Sequence, residues 1–355
     1  MHRFNQIVLF AVAFIAHLAF SSYFIARYSL HRFANLYDAG IFIGVAKSWY
    51  SPSDMGKFAM FPFYPAIIRA LATFLGYDLS AVVIVIVASS LSTVVFYKIA
   101  EMKSDFPFLL SLFFVFSAYP WFIVSSLPYS EPLFTLIALC TYYLVEKRHY
   151  FLSALAASGA ALTRLPGILL AILLLYGVLR DRKLRNAVWI TLPMISLSAL
   201  FGYFYFLTRD FFVTLHVEKT WASDLPDSGT YLTFPFSFML YFIEKGLLLP
   251  NYWRIVLLFG IYTYGLYRLR RDTGLLIFSL RIYLLVVSLS PFPTFWFGLD
   301  RQLVPVFSVS FFAYERFICG KSHWNKLLYV ALVVMFIVFS YRIVDRWCLL
   351  APVVP

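Results

Sequence analysis

The chain has 355 residues, 62% of them apolar, 21% aromatic and only 13% charged. A soluble domain carries roughly a quarter charged residues; the shortfall, with repeated apolar runs of helix length, excludes an ordinary water-soluble fold and indicates a polytopic helical membrane protein. The net charge of +12 does not argue for nucleic acid, because the Lys and Arg residues sit in short clusters between apolar runs, as they do in cytoplasmic loops. Cys140, Cys319 and Cys348 are scattered and lack metal-ligand spacing, so neither a disulfide framework nor a zinc site is implied.

The first apolar run, residues 7–26, follows a basic start and is long enough to be a retained span rather than a cleaved signal peptide. Residues 27–79 then form a long extracytoplasmic loop. Its stretch from Asn35 to Pro65 is too polar and broken to cross a bilayer; it carries Asp38 and the proline-framed turn Phe61-Pro62-Phe63-Tyr64-Pro65. Residues 65–75 are apolar but few and include Arg69, which predicts a short interfacial helix. A span over 80–99 returns to the charged turn Glu101-Met102-Lys103-Ser104-Asp105.

Runs at 106–119 and 132–145 predict a hairpin whose tip, Pro128-Tyr129-Ser130-Glu131, lies on the outer side. A second hairpin, 151–179, is interrupted at Thr163-Arg164-Leu165-Pro166-Gly167 and has basic flanks at both ends, so its tip faces the same side. Each arm is short for a full span, which puts Arg164 below the membrane surface in a protein-lined recess. A span at 187–207 leads to an outer segment over 208–250, and runs near 251–267, 274–290, 302–314 and 327–343 complete about eleven spans with the C-terminus outside. No internal repeat is evident, so the inverted-repeat architecture of many transporters has no support.

Asp38, the Tyr129-Ser130-Glu131 turn, Arg164 and Asp300-Arg301 thus all reach the outer side, and ionisable groups at membrane depth are costly enough to imply function. Each has a plainer reading. Asp38 alone is a solvated loop charge. Ser130, Glu131 and Pro132 form a helix start, with Ser130 as cap and Glu131 favoured by the dipole. The aromatic turn at 61–65 anchors the loop at the headgroups. Arg281 lies mid-span, either paired with a carboxylate of a neighbouring helix or clamping a lipid phosphate. Asp300 and Arg301 read first as a surface pair, and His216 has no evident partner.

The first half resembles GPI mannosyltransferase 2 (the PIG-V type) within the GT-C class of polyprenyl-phosphate-sugar transferases. That family has an Asp just after the first helix, Phe, Ala and Tyr at fixed spacings, and an FFPxxP turn. Asp38-Ala39, Phe42, Ala46, Tyr50 and Phe61-Pro62-Phe63-Tyr64-Pro65 fall on that pattern. Tyr129-Ser130-Glu131-Pro132-Leu133-Phe134 is similar to its YSE-x-x-F stretch, and Thr163-Arg164-Leu165-Pro166-Gly167 to its Arg-x-x-Gly tip. Three departures stand out: Tyr37 where the family has Trp, Ile41 where it has His, and Trp49 where it has Gly. The missing His removes one contact to phosphate or acceptor, so the acceptor need not be a GPI precursor.

The resemblance implies an all-α integral membrane protein of GT-C type, with residues 1–185 as the catalytic module and 186–355 as a variable C-terminal module. It also implies a dolichyl- or polyprenyl-phosphate-linked sugar, mannose in the family's case, as donor. The site would then be extracytoplasmic, in a prokaryotic cytoplasmic membrane or the endoplasmic reticulum. The expected reaction is an inverting transfer to a glycan or glycolipid. Asp38 serves as general base, Arg164, Arg281 and Arg301 face the donor phosphate, and Tyr129, Ser130 and Glu131 line the substrate site. Phe42, Tyr50, Phe61, Pro62, Tyr64 and Pro65 position the loop. No nucleotide-sugar motif or Mg²⁺ ligand set is evident, and no cofactor is expected. Two other classes fit the hydropathy: a lipid or sugar-lipid transporter or scramblase, and a non-catalytic subunit of a membrane glycosylation complex.

Overall fold

The computed structural model describes residues 2–116, 122–223 and 322–350, with residues 264, 267, 315 and 319. These residues are mostly helical, with no strand among them. Four helical stretches are long and apolar enough to cross a membrane: His2–Tyr28, Tyr77–Ala100, Leu184–Thr208 and His323–Leu350. They coincide with the runs expected at 7–26, 80–99, 187–207 and 327–343. The expected spans between 251 and 314, and with them Arg281, Asp300 and Arg301, lie outside the described residues.

The long helices are tied at both ends. Helix α1 (His2–Tyr28) is followed by α2 (Leu30–Ala34), α3 (Asp38–Ser48), α4 (Phe63–Leu75) and α5 (Tyr77–Ala100). His2 pairs with Glu101 at one end of the α1–α5 pair, and His31 Nδ1 meets Asp78 Oδ2 at 2.9 Å at the other, so the two run antiparallel. The last described helix, α12 (His323–Leu350), runs parallel to α1. Its Asp345 accepts from the Tyr28 hydroxyl at 2.6 Å and pairs with Arg27 at 3.3 Å. At its other end the Tyr329 hydroxyl donates to the Leu109 carbonyl at 3.3 Å, beside α6 (Pro107–Phe116). The last residues of α12 therefore share a side of the bundle with residues 27–79.

Helices α7 (Glu131–Glu146), α8 (Tyr150–Ala161), α9 (Leu170–Arg180), α10 (Thr191–Thr208) and α11 (Val213–Ser223) complete the described set. The buried core is continuous across position 185, since Phe204 of α10 packs on Tyr50 at 4.9 Å and Phe58 at 5.1 Å. The side opposite residues 27–79 is closed by charge: Arg180 reaches Glu146 at 3.1 Å, and Arg148 reaches Asp181 at 3.2 Å.

This arrangement makes a labelling prediction. In a chain lacking Cys140, Cys319 and Cys348, Asp54→Cys is expected to react with an impermeant maleimide on intact cells. Lys103→Cys and Lys183→Cys should react only after permeabilisation. Labelling of all three from one side would contradict the antiparallel pairing of α1 and α5.

The segment between α1 and α5 is more helical than its composition suggests. Asp38 is not a loop carboxylate: it is the first residue of α3, where the helix dipole favours an anion. Gly40, Gly44 and β-branched residues make this a weak helix by propensity, and burial of Ala39, Phe42, Ile43, Val45 and Ala46 compensates. Both flanks of α3 are strained. Tyr37 has φ 50° and Trp49 has φ 61°, conformations that favour glycine and cost non-glycine residues of order 1–3 kcal/mol. Trp49 is the position where the resemblance expects Gly.

Candidate functional site

The hairpin of α8 and α9 begins and ends at the charged Glu146–Asp181 rim, where the Tyr150 hydroxyl donates to Asp181 Oδ2 at 2.6 Å. Helix α8 has 12 residues, which rise only about 18 Å, against a hydrocarbon core of about 30 Å. Its tip, Thr163 to Gly167, therefore turns inside the bundle rather than beyond it. The turn closes through the Gly167 N–H donating to the Arg164 carbonyl at 2.9 Å. A Cβ on Gly167 would stand 2.3 Å from the Ala160 carbonyl carbon, so only glycine allows the chain to fold back on α8 this tightly.

Arg164 is held at this tip by α7. Its Nη1 lies 2.8 Å from Glu131 Oε1 and donates to Ser130 Oγ at 3.1 Å. The Arg164 side chain is 14% exposed and that of Glu131 is 1% exposed, so the pair is sealed among protein. Ser130 occupies the N-cap position of α7 as expected but does not cap with its side chain: its backbone is itself helical, and its oxygen is turned to the guanidinium. Tyr129 and Ser130 are buried at the same place.

The 27–79 segment packs onto this pair. The Phe63 N–H donates to the Leu162 carbonyl at 3.0 Å, joining the proline-framed turn to the tip. Pro62 is the N-cap residue of α4, and Pro65 is buried in its first turn with Tyr64. The Tyr64 hydroxyl donates to the Ala81 carbonyl at 3.3 Å. Burial holds that hydroxyl well above the usual phenol range, and the Glu131 charge adds to the shift. Phe42 meets the Tyr64 ring edge-on at 5.3 Å. Asp38, partly buried, lies one helical turn before Phe42, on the same side of α3. The Tyr50 hydroxyl donates to the Met60 carbonyl at 2.6 Å, and Phe61 is buried beside it, fixing the run into the turn. Asp54, outside the expected pattern, pairs with Lys57 at 2.9 Å.

One site residue was not legible in the sequence. Glu218 lies on α11, whose Thr214 Oγ1 donates to the Phe58 carbonyl at 2.8 Å and so pins this helix to the 3-10 turn Met55–Ala59. Burial pushes the Glu218 carboxyl up to about 7, and the nearby Arg164 charge opposes that rise. In the sequence it is one acidic residue between Val217 and Lys219, with nothing to set it apart from a solvated charge. Its closeness to Arg164 depends on how α11 docks, which no local pattern encodes. His216 on the same helix meets Asp210 at 2.6 Å.

Among the described residues no three His, Cys, Asp or Glu side chains gather as metal ligands. What the site offers is a buried guanidinium fixed by Glu131 and Ser130, with aromatic rings packed on the same tip. Such a guanidinium is suited to a phosphate oxygen, and the rings to an apolar chain or a sugar face. No family model matches the chain, and no curated protein matches it.

Proposed function

We propose that the chain is a GT-C-type membrane glycosyltransferase that moves a sugar from a dolichyl- or polyprenyl-phosphate donor. The acceptor is a lipid-linked glycan or glycolipid on the extracytoplasmic side, and the full chain has about eleven spans. The supporting observation is that the three stretches carrying the resemblance to GPI mannosyltransferase 2 meet in space. The turn at 61–65 bonds to Leu162 beside Arg164, and Arg164 bonds to Ser130 and Glu131. Nothing in their sequence separation requires this. The glycine-type backbone of Trp49, at the family's glycine position, supports the same reading.

In this mechanism Arg164 holds the donor phosphate and takes up charge as the sugar departs. The bond from the anomeric carbon to the phosphate oxygen breaks as the acceptor oxygen bonds to the opposite face, inverting the centre. The acceptor's proton passes to Asp38. Glu131 and Ser130 are positioning residues that fix the guanidinium plane. The phosphate leaves already ionised, so no acid is needed.

The test is transfer of labelled sugar from polyprenyl-phosphate-mannose to membrane acceptors by the purified protein. Arg164→Lys keeps the charge but not the planar fork. It is expected to reduce transfer about tenfold or more, since one charge-assisted hydrogen bond contributes about 1.5–3 kcal/mol. Full activity in a folded Arg164→Lys variant would remove Arg164 from the phosphate.

A further inference from the structure

The end of α12 is fastened to the start of the 27–79 segment at several points. Asp345 holds Tyr28 and Arg27, and the Tyr341 ring meets Phe20 edge-on at 4.7 Å. The Arg32 guanidinium donates to the Cys348 carbonyl and, at 3.2 Å, to the Leu349 carbonyl. Carbonyls in the last turn of a helix have no partner within it, so a cation there satisfies them and favours the helix end. Val344 and Cys348 are buried on the same stretch. Trp347 lies among these anchors and is thereby placed against Tyr37: the two rings stand 5.8 Å apart and nearly perpendicular, at 79°.

Tyr37 is the residue before Asp38, and its backbone decides how α3 begins. Its φ of 50° is costly for a residue with a Cβ and persists only where surrounding contacts impose it. Its carbonyl accepts from the Gly40 N–H at 3.1 Å, closing the first turn of α3 around Asp38. The chain just before is already fixed, because the Asn35 amide donates to Asp78 Oδ1 at 3.1 Å and Leu36 is buried. Tyr37 itself is 41% exposed, and the ring that meets it is Trp347. We propose that Trp347 is a positioning residue for the reaction: by holding the Tyr37 ring it keeps the strained backbone that aims the Asp38 carboxylate at the acceptor hydroxyl. This rests on the reading of Asp38 as the general base. It gives the last described helix, from the half of the chain that carries none of the family motifs, a part in the site built by the first half. Released from Trp347, Tyr37 relaxes to a negative φ and its carbonyl turns. Asp38 then shifts, while Arg164 stays held by Glu131 and Ser130. The loss therefore falls on turnover and not on donor binding.

The test measures mannose transfer from polyprenyl-phosphate-mannose by the full-length protein in detergent, with kcat and donor KM determined separately. Trp347→Ala is expected to lower kcat roughly 10–100-fold, since a misplacement of about 1 Å can cost a hundredfold, with donor KM within about twofold of wild type. Trp347→Phe, which keeps an aromatic ring at the contact, should retain most of the turnover. Tyr37→Ala should show the same loss as Trp347→Ala, and the double variant no more than either, since both act through one contact. Asp345→Asn weakens the same helix end by breaking the Arg27 pair, without touching Tyr37, and is expected to keep wild-type turnover. Normal kcat in Trp347→Ala, losses that multiply in the double variant, or an equal loss in Asp345→Asn overturns the role of Trp347; Asp38 stays the base if Asp38→Asn is inactive in the same assay. Near-normal turnover in Asp38→Asn, or no transfer by the wild type, removes the base and the role of Trp347 with it. Should Trp347→Ala not fold, Trp347→Leu takes its place: it keeps apolar bulk without a ring, the same loss is expected, and a normal kcat would count against the proposal.

Discussion

Glu131→Ala is expected to lower the unfolding free energy in detergent by about 3–5 kcal/mol, the range for breaking one side of a buried ion pair. The Glu131 side chain is 1% exposed and that of Arg164 14%, so neither charge is well solvated. Without Glu131 the guanidinium keeps Ser130 Oγ, a neutral partner, within the tip. Removing both charges, with Arg164→Met added to Glu131→Ala, should recover most of the loss, because the cost lies in the uncompensated charge rather than in losing a strong net attraction. Transfer should be abolished in the single and the double variant alike. A double-mutant cycle measures the coupling directly. If each single substitution cost under about 1 kcal/mol, the value typical of solvent-screened pairs, Arg164 would be open to water and the recess would not exist.

The parts of this fold that could be seen in the sequence are those decided by local hydropathy. The run at 80–99 becomes Tyr77–Ala100 and that at 327–343 becomes His323–Leu350, each longer than expected because aromatic and charged ends continue a helix that a hydropathy window cuts short. The hairpin at 151–179 was legible from its short arms and basic flanks, and the Arg164 side chain at its tip is mostly buried among protein. What escaped depends on tertiary contact. Residues 38–48 are poor in helix propensity, with two glycines and three β-branched residues, and are helical because their apolar face is buried against α4 and α5. Ser130 fits the capping rule, but the rule considers only the chain's own N–H groups, and a guanidinium from another hairpin is the stronger competitor for its oxygen. Glu218 escaped because nothing around it in sequence announces that α11 packs on the Met55–Ala59 turn.

Asp38→Asn is expected to leave insertion, folding and donor binding intact while lowering turnover by roughly 10²–10⁴-fold, the range for a lost general base. Asn matches Asp in size and still makes hydrogen bonds, but it cannot take the acceptor's proton. The first turn of α3 adds a second effect of known sign. A carboxylate there is stabilised by the helix N-terminus by about 0.3–1 kcal/mol, and losing that contribution is far too little to explain a hundredfold loss of rate. Asp38→Glu keeps the charge at the helix start and moves the oxygens about a methylene outward, and partial turnover is expected because reaction geometry is sensitive on that scale. Asp54, in the same segment but committed to Lys57, is the internal control: Asp54→Asn should keep most of the activity. The deciding measurement is turnover at saturating donor and acceptor, with donor affinity determined separately. Near-normal turnover in Asp38→Asn would exclude Asp38 as the base. If Glu218→Gln then abolished turnover without changing donor affinity, the proton would go to the carboxyl carried by α11, and α3 would serve only to seat Phe42 against Tyr64.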